Sequence, residues 1–145
     1  MSLRSILETK NRTIHAVGPT ATVLDAIGMM CRSHVGALLV NEHDGPVGIL
    51  SDGDIMTRVF LERRDPSTTR VAEVMTREVV FVELHLEPEE AMTLMTERRV
   101  TQLPVVDGRT VVGIVSVGDL LRWQSRNQDY EIRTLKEYVS GAYPG

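Results

Sequence analysis

The sequence predicts a mixed α/β (α+β) protein in which one β-α-β-β-α unit occurs twice. Three observations carry that prediction. The chain overlies itself when shifted by 65 positions. Short β-rich runs alternate with stretches whose apolar residues recur at helical spacing. The apolar content is 42% of the chain against only 4% aromatic, so the core is built from Val, Leu, Ile, Met and Ala.

The shift lays Val47-Gly48-Ile49-Leu50-Ser51-Asp52-Gly53-Asp54-Ile55 on Val112-Gly113-Ile114-Val115-Ser116-Val117-Gly118-Asp119-Leu120. It also lays Ala26 on Ala91, Met30 on Met95, Val35 on Val100, Leu38 on Leu103 and Val40 on Val105, with no gap between Thr13 and Arg58. Self-similarity of this kind marks a repeat architecture. Each half opens with a β-rich stretch, Ile14 to Val17 and Val79 to Val82. A helix follows. In the first half Thr22 is its N-cap, with Asp25 three residues on, and Ala26, Ile27, Met29 and Met30 form the apolar face. In the second, Pro88 stands at the start, where proline is tolerated, before Ala91, Met92, Leu94 and Met95.

Two strands come next. Ala37 to Val40 and Val47 to Leu50 are joined across Asn41-Glu42-His43-Asp44-Gly45. Leu103 to Val106 and Val111 to Val115 are joined across Asp107-Gly108-Arg109, and Asp-Gly is a hairpin signal. A second helix starts near Asp54 and near Asp119. The polar stretch from Arg64 to Thr69 links the halves. A half alone leaves a sheet edge and an apolar face uncovered, so residues 1–145 are expected to fold as one module, with repeats at about 8–64 and 71–125.

Composition bounds the function. At 145 residues the chain fits one domain. A net charge of −4 argues against a nucleic-acid backbone as the partner. One cysteine, Cys31, leaves no intrachain disulfide and points to a reducing compartment. Its neighbours Ile27, Met29 and Met30 place it on a buried helix face as an inert thiol. No apolar run reaches the length of a membrane span, and no signal-peptide core is visible at the N-terminus. The chain is expected to be cytoplasmic.

Ser51 and Ser116 each end an apolar strand, with Asp54 and Asp119 three residues later at a helix start. Capping stabilises a helix by about 1 kcal/mol and accounts well for one residue of each pair. Nucleotide binding is the other reading. A hydroxyl beside the free N–H groups of a helix start suits a phosphate. A carboxylate suits the two vicinal hydroxyls of a ribose.

With these motifs in view, the sequence resembles a tandem CBS (cystathionine-β-synthase) pair, a Bateman module, here stand-alone. The first repeat carries the likeness in Val35-Gly36-Ala37-Leu38-Leu39-Val40 and Val47 to Ile55, the second in Val100 to Gly108 and Val112 to Leu120. Val74-Met75-Thr76 is a typical lead-in to the second repeat, and the likeness spans about residues 5–125. The resemblance implies repeats packed around a pseudo-twofold axis, with two clefts that bind adenosine-containing ligands. AMP is the first expected ligand; ADP, ATP, NAD(H) and S-adenosylmethionine also fit the family. In one cleft Ser116 and Asp119 would hold phosphate and ribose. Ile14, His15, Val35, Gly36 and Ala37 would surround the adenine, with Ile114 on its other face. In the mirrored cleft Ser51 and Asp54 would work with Ile49, Val79, Val80, Thr101 and Gln102.

The two clefts are not equal. Asp52 stands in one where Val117 stands in the other. Its charge weakens anion binding unless Arg58 offsets it, whereas Lys10 and Arg122 help the Ser116 cleft. The Ser116/Asp119 cleft is therefore expected to be the tighter one.

His15 falls in the candidate pocket wall, His43 in a loop and His85 at a helix start. The four histidines have no metal-ligand spacing, so no metal is expected. No P-loop lysine follows the glycines, so ATP hydrolysis is not expected. The second helix of repeat two is expected to run over about 119–140, because Ile132, Leu135, Tyr138 and Val139 keep helical spacing. That helix, with Leu3, Ile6 and Leu7, is expected to form a homodimer contact. The expected function is a nucleotide sensor in signal transduction, with no catalysis of its own and an unidentified partner protein downstream. The alternatives are a purely structural dimerisation unit and, further off, a nucleotide-acting enzyme.

Overall fold

The computed structural model describes residues 2–10 and 13–126. Helix α1 (Leu3–Glu8) precedes the first repeat, which comprises β1 (Ala16–Val17), α2 (Val23–Ser33), β2 (Ala37–Glu42), β3 (Gly45–Ser51) and α3 (Asp52–Ile55). Helix α3 continues into a π-helical turn, Met56–Phe60. Helix α4 (Val71–Val74) then precedes β4 (Val82–Glu83), α5 (Pro88–Arg98), β5 (Gln102–Asp107), β6 (Thr110–Ser116) and α6, helical over 117–126.

Each repeat carries a three-stranded sheet, ordered β1-β2-β3 and β4-β5-β6. The first pair in each is parallel and the second antiparallel. The 65-residue shift holds in three dimensions. Val17 pairs with Val40 as Val82 pairs with Val105. Ala37 pairs with Ser51 as Gln102 pairs with Ser116. Both hairpins bulge at the same place, after Val40 and after Val105.

Local chemistry accounts for the boundaries. Thr22 caps α2 by accepting the Asp25 N–H at 3.1 Å, and Pro88 occupies the first turn of α5. The connectors are tighter than expected. Strands β2 and β3 extend until only His43 and Asp44 join them, with Gly45 at a φ of 116° that a side chain would resist. The opening strands are shorter than expected. Only Ala16–Val17 and Val82–Glu83 qualify, because upstream of β1 the ladder keeps a single bond, from Leu39 N–H to the His15 carbonyl. Helices α3 and α6 begin two residues earlier than expected, at Asp52 and 117. Cys31 corrects another expectation: it is exposed, not buried. Helix α2 presents Val23, Ala26 and Met30 to the core, and Cys31 falls off that face.

The lead-in helices are exchanged between the halves. Helix α1, although it precedes repeat one, buries Leu3, Ile6 and Leu7 against Leu103, Val105, Val115 and Leu120 of repeat two. Its first amides donate to Leu86 and Leu84 at 2.9 and 3.1 Å. Helix α4, which precedes repeat two, buries Val71, Val74 and Met75 against Leu38, Val40 and Leu50 of repeat one. So Leu3, Ile6 and Leu7, expected at a dimer contact, are core residues here. They cover the apolar face that a lone repeat would expose.

Two glycines make the exchange close. A Cβ on Gly48 would lie 2.8 Å from the Thr76 carbonyl oxygen and 2.8 Å from Met75 Sδ. That carbonyl is held by a two-way bridge: Ile49 N–H donates to Thr76 at 2.9 Å and Thr76 N–H donates to Ile49 at 2.8 Å. A Cβ on Gly113 would meet only the tip of the Leu7 side chain, at 2.8 Å. A side-chain tip can rotate away, whereas the bridged carbonyl cannot. Gly48→Ala is therefore expected to destabilise the protein by about 2 kcal/mol and Gly113→Ala by about half that or less. Urea midpoints of the two variants, side by side, check the order.

Candidate functional site

The site forms where β6 meets α6. Ser116 is the last strand residue, and its Oγ accepts the Asp119 N–H at 3.1 Å. Asp119 Oδ2 in turn accepts the Ser116 N–H at 2.8 Å. This reciprocal cap uses both residues, and Ser51 with Asp54 repeats it at 3.2 and 3.0 Å. Capping therefore explains the paired Ser and Asp more fully than the sequence suggested. Function must rest on what surrounds them.

Around Asp119 the surroundings are cationic. Lys10 Nζ donates to Asp119 Oδ2 at 2.7 Å and to the Ile114 carbonyl at 2.9 Å. Arg122 Nη2 donates to the other carboxylate oxygen, Oδ1. Asp119 is 7% exposed, against 35% for Lys10 and 65% for Arg122. Burial opposes ionisation of this carboxyl. The Lys10 and Ser116 hydrogen bonds and the Lys10 charge outweigh it and hold the group below the usual carboxylate range. One buried anion thus gathers two partly exposed cations, and the triad carries a net positive charge.

A cavity of about 280 Å³ opens beside this triad. Lys10, Ser116, Asp119 and Arg122 line its polar end. Ile14, His15, Val35, Gly36, Ala37 and Ile114 line the rest. All ten residues that the sequence assigned to this cleft therefore share one space. Two of the expected phosphate amides are already engaged. Val117 N–H donates to the Thr101 carbonyl at 2.9 Å and the Asp119 N–H is taken by Ser116. An anion here would be held by Lys10 and Arg122 instead.

The sequence missed several wall residues. Gln102, expected in the mirrored cleft, lines this cavity, lying against Gly36, where a Cβ would come within 2.9 Å of its Nε2. Leu7 enters on the exchanged helix and Gly113 on β6, and Thr13, Ser33 and His34 complete the wall. His34 ends α2 in the left-handed conformation at φ 55°, a position it shares by repeat with Arg99. Only the alignment of the halves could have flagged it.

The mirrored set is tied up from within. Thr76 Oγ1 donates to Asp54 Oδ1 at 3.0 Å, and the Ile49 backbone pairs with Thr76. Arg58 does not offset Asp52. Its Nη1 donates to the Val74 and Met75 carbonyls at 3.2 and 2.9 Å, closing the end of α4. Asp52 lies beside Gly36, and its own amide donates to the Gly36 carbonyl at 3.0 Å. Val80 packs on the core of repeat two, Val79 is partly buried, and Thr101 is exposed with its carbonyl committed to Val117. The 65-residue shift gives the reason: Met75 stands for Lys10, and Thr57 stands for Arg122. Both cations of the Ser116 cleft are lost in its twin.

Among the described residues no three His, Cys, Asp or Glu side chains cluster as metal ligands. Nor is any described helix long and apolar enough to cross a membrane. The part of the expected 119–140 helix beyond residue 126, with Ile132, Leu135, Tyr138 and Val139, lies outside the described residues.

Two β-α-β-β-α halves with matching strand registers, exchanged lead-in helices and a cleft at the Ser-x-x-Asp turn define a paired-repeat class of fold. The CBS domain profile matches the chain twice, over residues 4–60 and 71–126, and the chain belongs to that family. It is 32% identical to the mitochondrial CBS domain-containing protein CBSX3 of Arabidopsis thaliana, covering 84% of this chain and 62% of that one, a little under two thirds. It is 35% identical to the CBS domain-containing protein YhcV of Bacillus subtilis, covering 87% and 89%. A solved Burkholderia ambifaria protein with CBS domains, named as a candidate in signal transduction, superposes with a TM-score of 0.84 at 39% identity, covering 88% and 96%.

Proposed function

We propose that the Lys10–Ser116–Asp119–Arg122 cleft binds an adenine nucleotide and that the protein is a regulatory sensor without catalysis of its own. AMP is the minimal ligand, and ADP, ATP and NAD(H) share its recognised half. One observation carries the reading: a buried carboxylate paired with two partly exposed cations stands at one end of a slot that also has an apolar wall of Ile14, Val35, Ala37 and Ile114. Vicinal ribose hydroxyls would donate to Asp119, releasing Lys10 and Arg122 to the phosphate. The base would lie among Ile14, Val35, Ala37 and Ile114, with His15 and Gln102 at its edge. A domain pair of this fold from the protein MJ0100, 21% identical, was solved with 5′-methylthioadenosine and S-adenosyl-L-methionine. That ligand set belongs to that protein; the present reading rests on the cleft.

As part of this proposal the protein acts in the cytoplasm as a homodimer. The exposed Met56, Phe60 and Leu61 after α3, and Leu121 on α6, support a face for a second copy. Ligand binding would shift that assembly between states that a separate partner protein reads, which requires different affinities for the two states.

A thermal-shift panel at millimolar AMP, ADP, ATP, NAD, NADH and S-adenosylmethionine tests the sensor. A ligand that binds the folded state raises Tm by mass action, about 2.7 kcal/mol of added stability at a hundredfold excess over Kd. A shift with one adenine ligand supports the reading. No shift with any of them, in protein shown by denaturation and extraction to carry no bound nucleotide, would favour a purely structural dimerisation unit. Turnover of a ligand on prolonged incubation would favour an enzyme.

A further inference from the structure

The Lys10–Asp119–Arg122 triad is also the wall of a second cavity, of about 260 Å³, on its other side. Residues of α1 and α6 enclose that space: Ser5, Ile6 and Thr9 from one helix, Trp123 and Arg126 from the other. The partition between the two cavities is thus made of side chains. Its two long members, Lys10 and Arg122, are the exposed ones. If ribose hydroxyls take over Asp119, both cations leave the carboxylate and the two spaces become continuous.

The lining says what would enter. A chain of phosphates alone would call for cations on all sides. This compartment instead offers an indole, the Ile6 side chain, two hydroxyls and one guanidinium. An indole and an aliphatic wall suit a flat ring. Hydroxyls and a guanidinium suit a sugar and its neighbouring phosphate. Lys10 and Arg122, standing between the compartments, match a pyrophosphate at one cation per phosphate.

We infer that the cleft and this second compartment together form one site for a dinucleotide, adenosine joined through pyrophosphate to a second nucleoside whose ring lies against Trp123. The inference rests on the reading of the first cleft as an adenine-nucleotide site, and it sets the ligand class within that reading. Trp123 is the only tryptophan of the chain, so its fluorescence reports directly on the compartment.

Isothermal titration of AMP, NAD and NADH into the wild type, Ser5→Phe and Trp123→Ala separates the two ideas. In the wild type a dinucleotide should bind at least about tenfold tighter than AMP, the factor that one well-packed ring supplies. Ser5→Phe fills the compartment from α1. It should abolish that preference while AMP affinity stays within about twofold of the wild type. Trp123→Ala should do the same. Trp123 also packs on the core of repeat two, so Ser5→Phe decides the matter if Trp123→Ala does not fold. Equal affinity for AMP and the dinucleotides in the wild type overturns the inference and leaves the sensor reading intact. So does a Ser5→Phe variant that weakens both alike. Failure of AMP, NAD and NADH to bind at all overturns both.

Discussion

Replacing Asp119 with Asn is expected to weaken adenine-nucleotide binding by about 10- to 100-fold. A hydrogen bond to a charged group contributes about 1.5–3 kcal/mol, and 1.4 kcal/mol is a factor of ten. The amide cannot accept from both ribose hydroxyls, and it no longer holds Lys10 and Arg122 at the mouth of the cleft. Asp54→Asn is the control. It occupies the same place in the repeat, yet its carboxylate is engaged by Thr76 and Ser51. It should cost stability and leave ligand affinity unchanged. Titration calorimetry on the pair checks the contrast, and equal losses from both would remove the proposed asymmetry of the clefts.

The same variant has a pH signature. The folded-state pKa of Asp119 is lowered, so its contribution to stability is complete above the unfolded value of about 3.9. That contribution is lost as pH falls through the folded value. The Tm difference between wild type and Asp119→Asn should therefore be largest near neutrality and shrink below about pH 4. A difference that grows on acidification would contradict the ion triad.

Leu103→Ala is expected to cost about 2–5 kcal/mol, out of a total near 5–15 kcal/mol for a domain of this kind. Leu103 is fully buried in the middle strand of its sheet, as its twin Leu38 is in the other. The form of the melting curve matters as much as its midpoint. Helix α1 is covalently part of the first half but packed in the core of the second, and α4 is placed the opposite way. We propose that the halves therefore melt together. Leu103→Ala should lower one transition in scanning calorimetry, as should Leu38→Ala. Two separated transitions would show halves that stand alone.

Much of the site was legible in the sequence because it is written twice. Overlaying the halves located the strand ends, the Ser-x-x-Asp turns and the helix faces, and these depend on short-range chemistry. A strand's period, a cap's spacing and a proline's tolerance act within a few residues. The carry-over of a family pattern then named ten residues that share one cavity, drawn from segments as far apart as Lys10 and Arg122.

The overlay anticipated unequal clefts from Asp52 standing opposite Val117, but not the contacts that make them differ. Met75 stands where Lys10 does, and the Thr76 hydroxyl reaches Asp54, a contact between residues 22 positions apart. By itself, then, the sequence determined the α/β repeat, its elements and the residues able to form a nucleotide cleft. The tertiary structure decided which sheet each lead-in helix covers, and hence that Leu3, Ile6 and Leu7 are core. It also decided that Cys31 is exposed, that Gln102 lines the Ser116 cavity, and that one carboxylate meets cations while its twin meets a hydroxyl. The physical reason is that apolar faces specify burial but not a partner, and the partner is chosen by long-range packing.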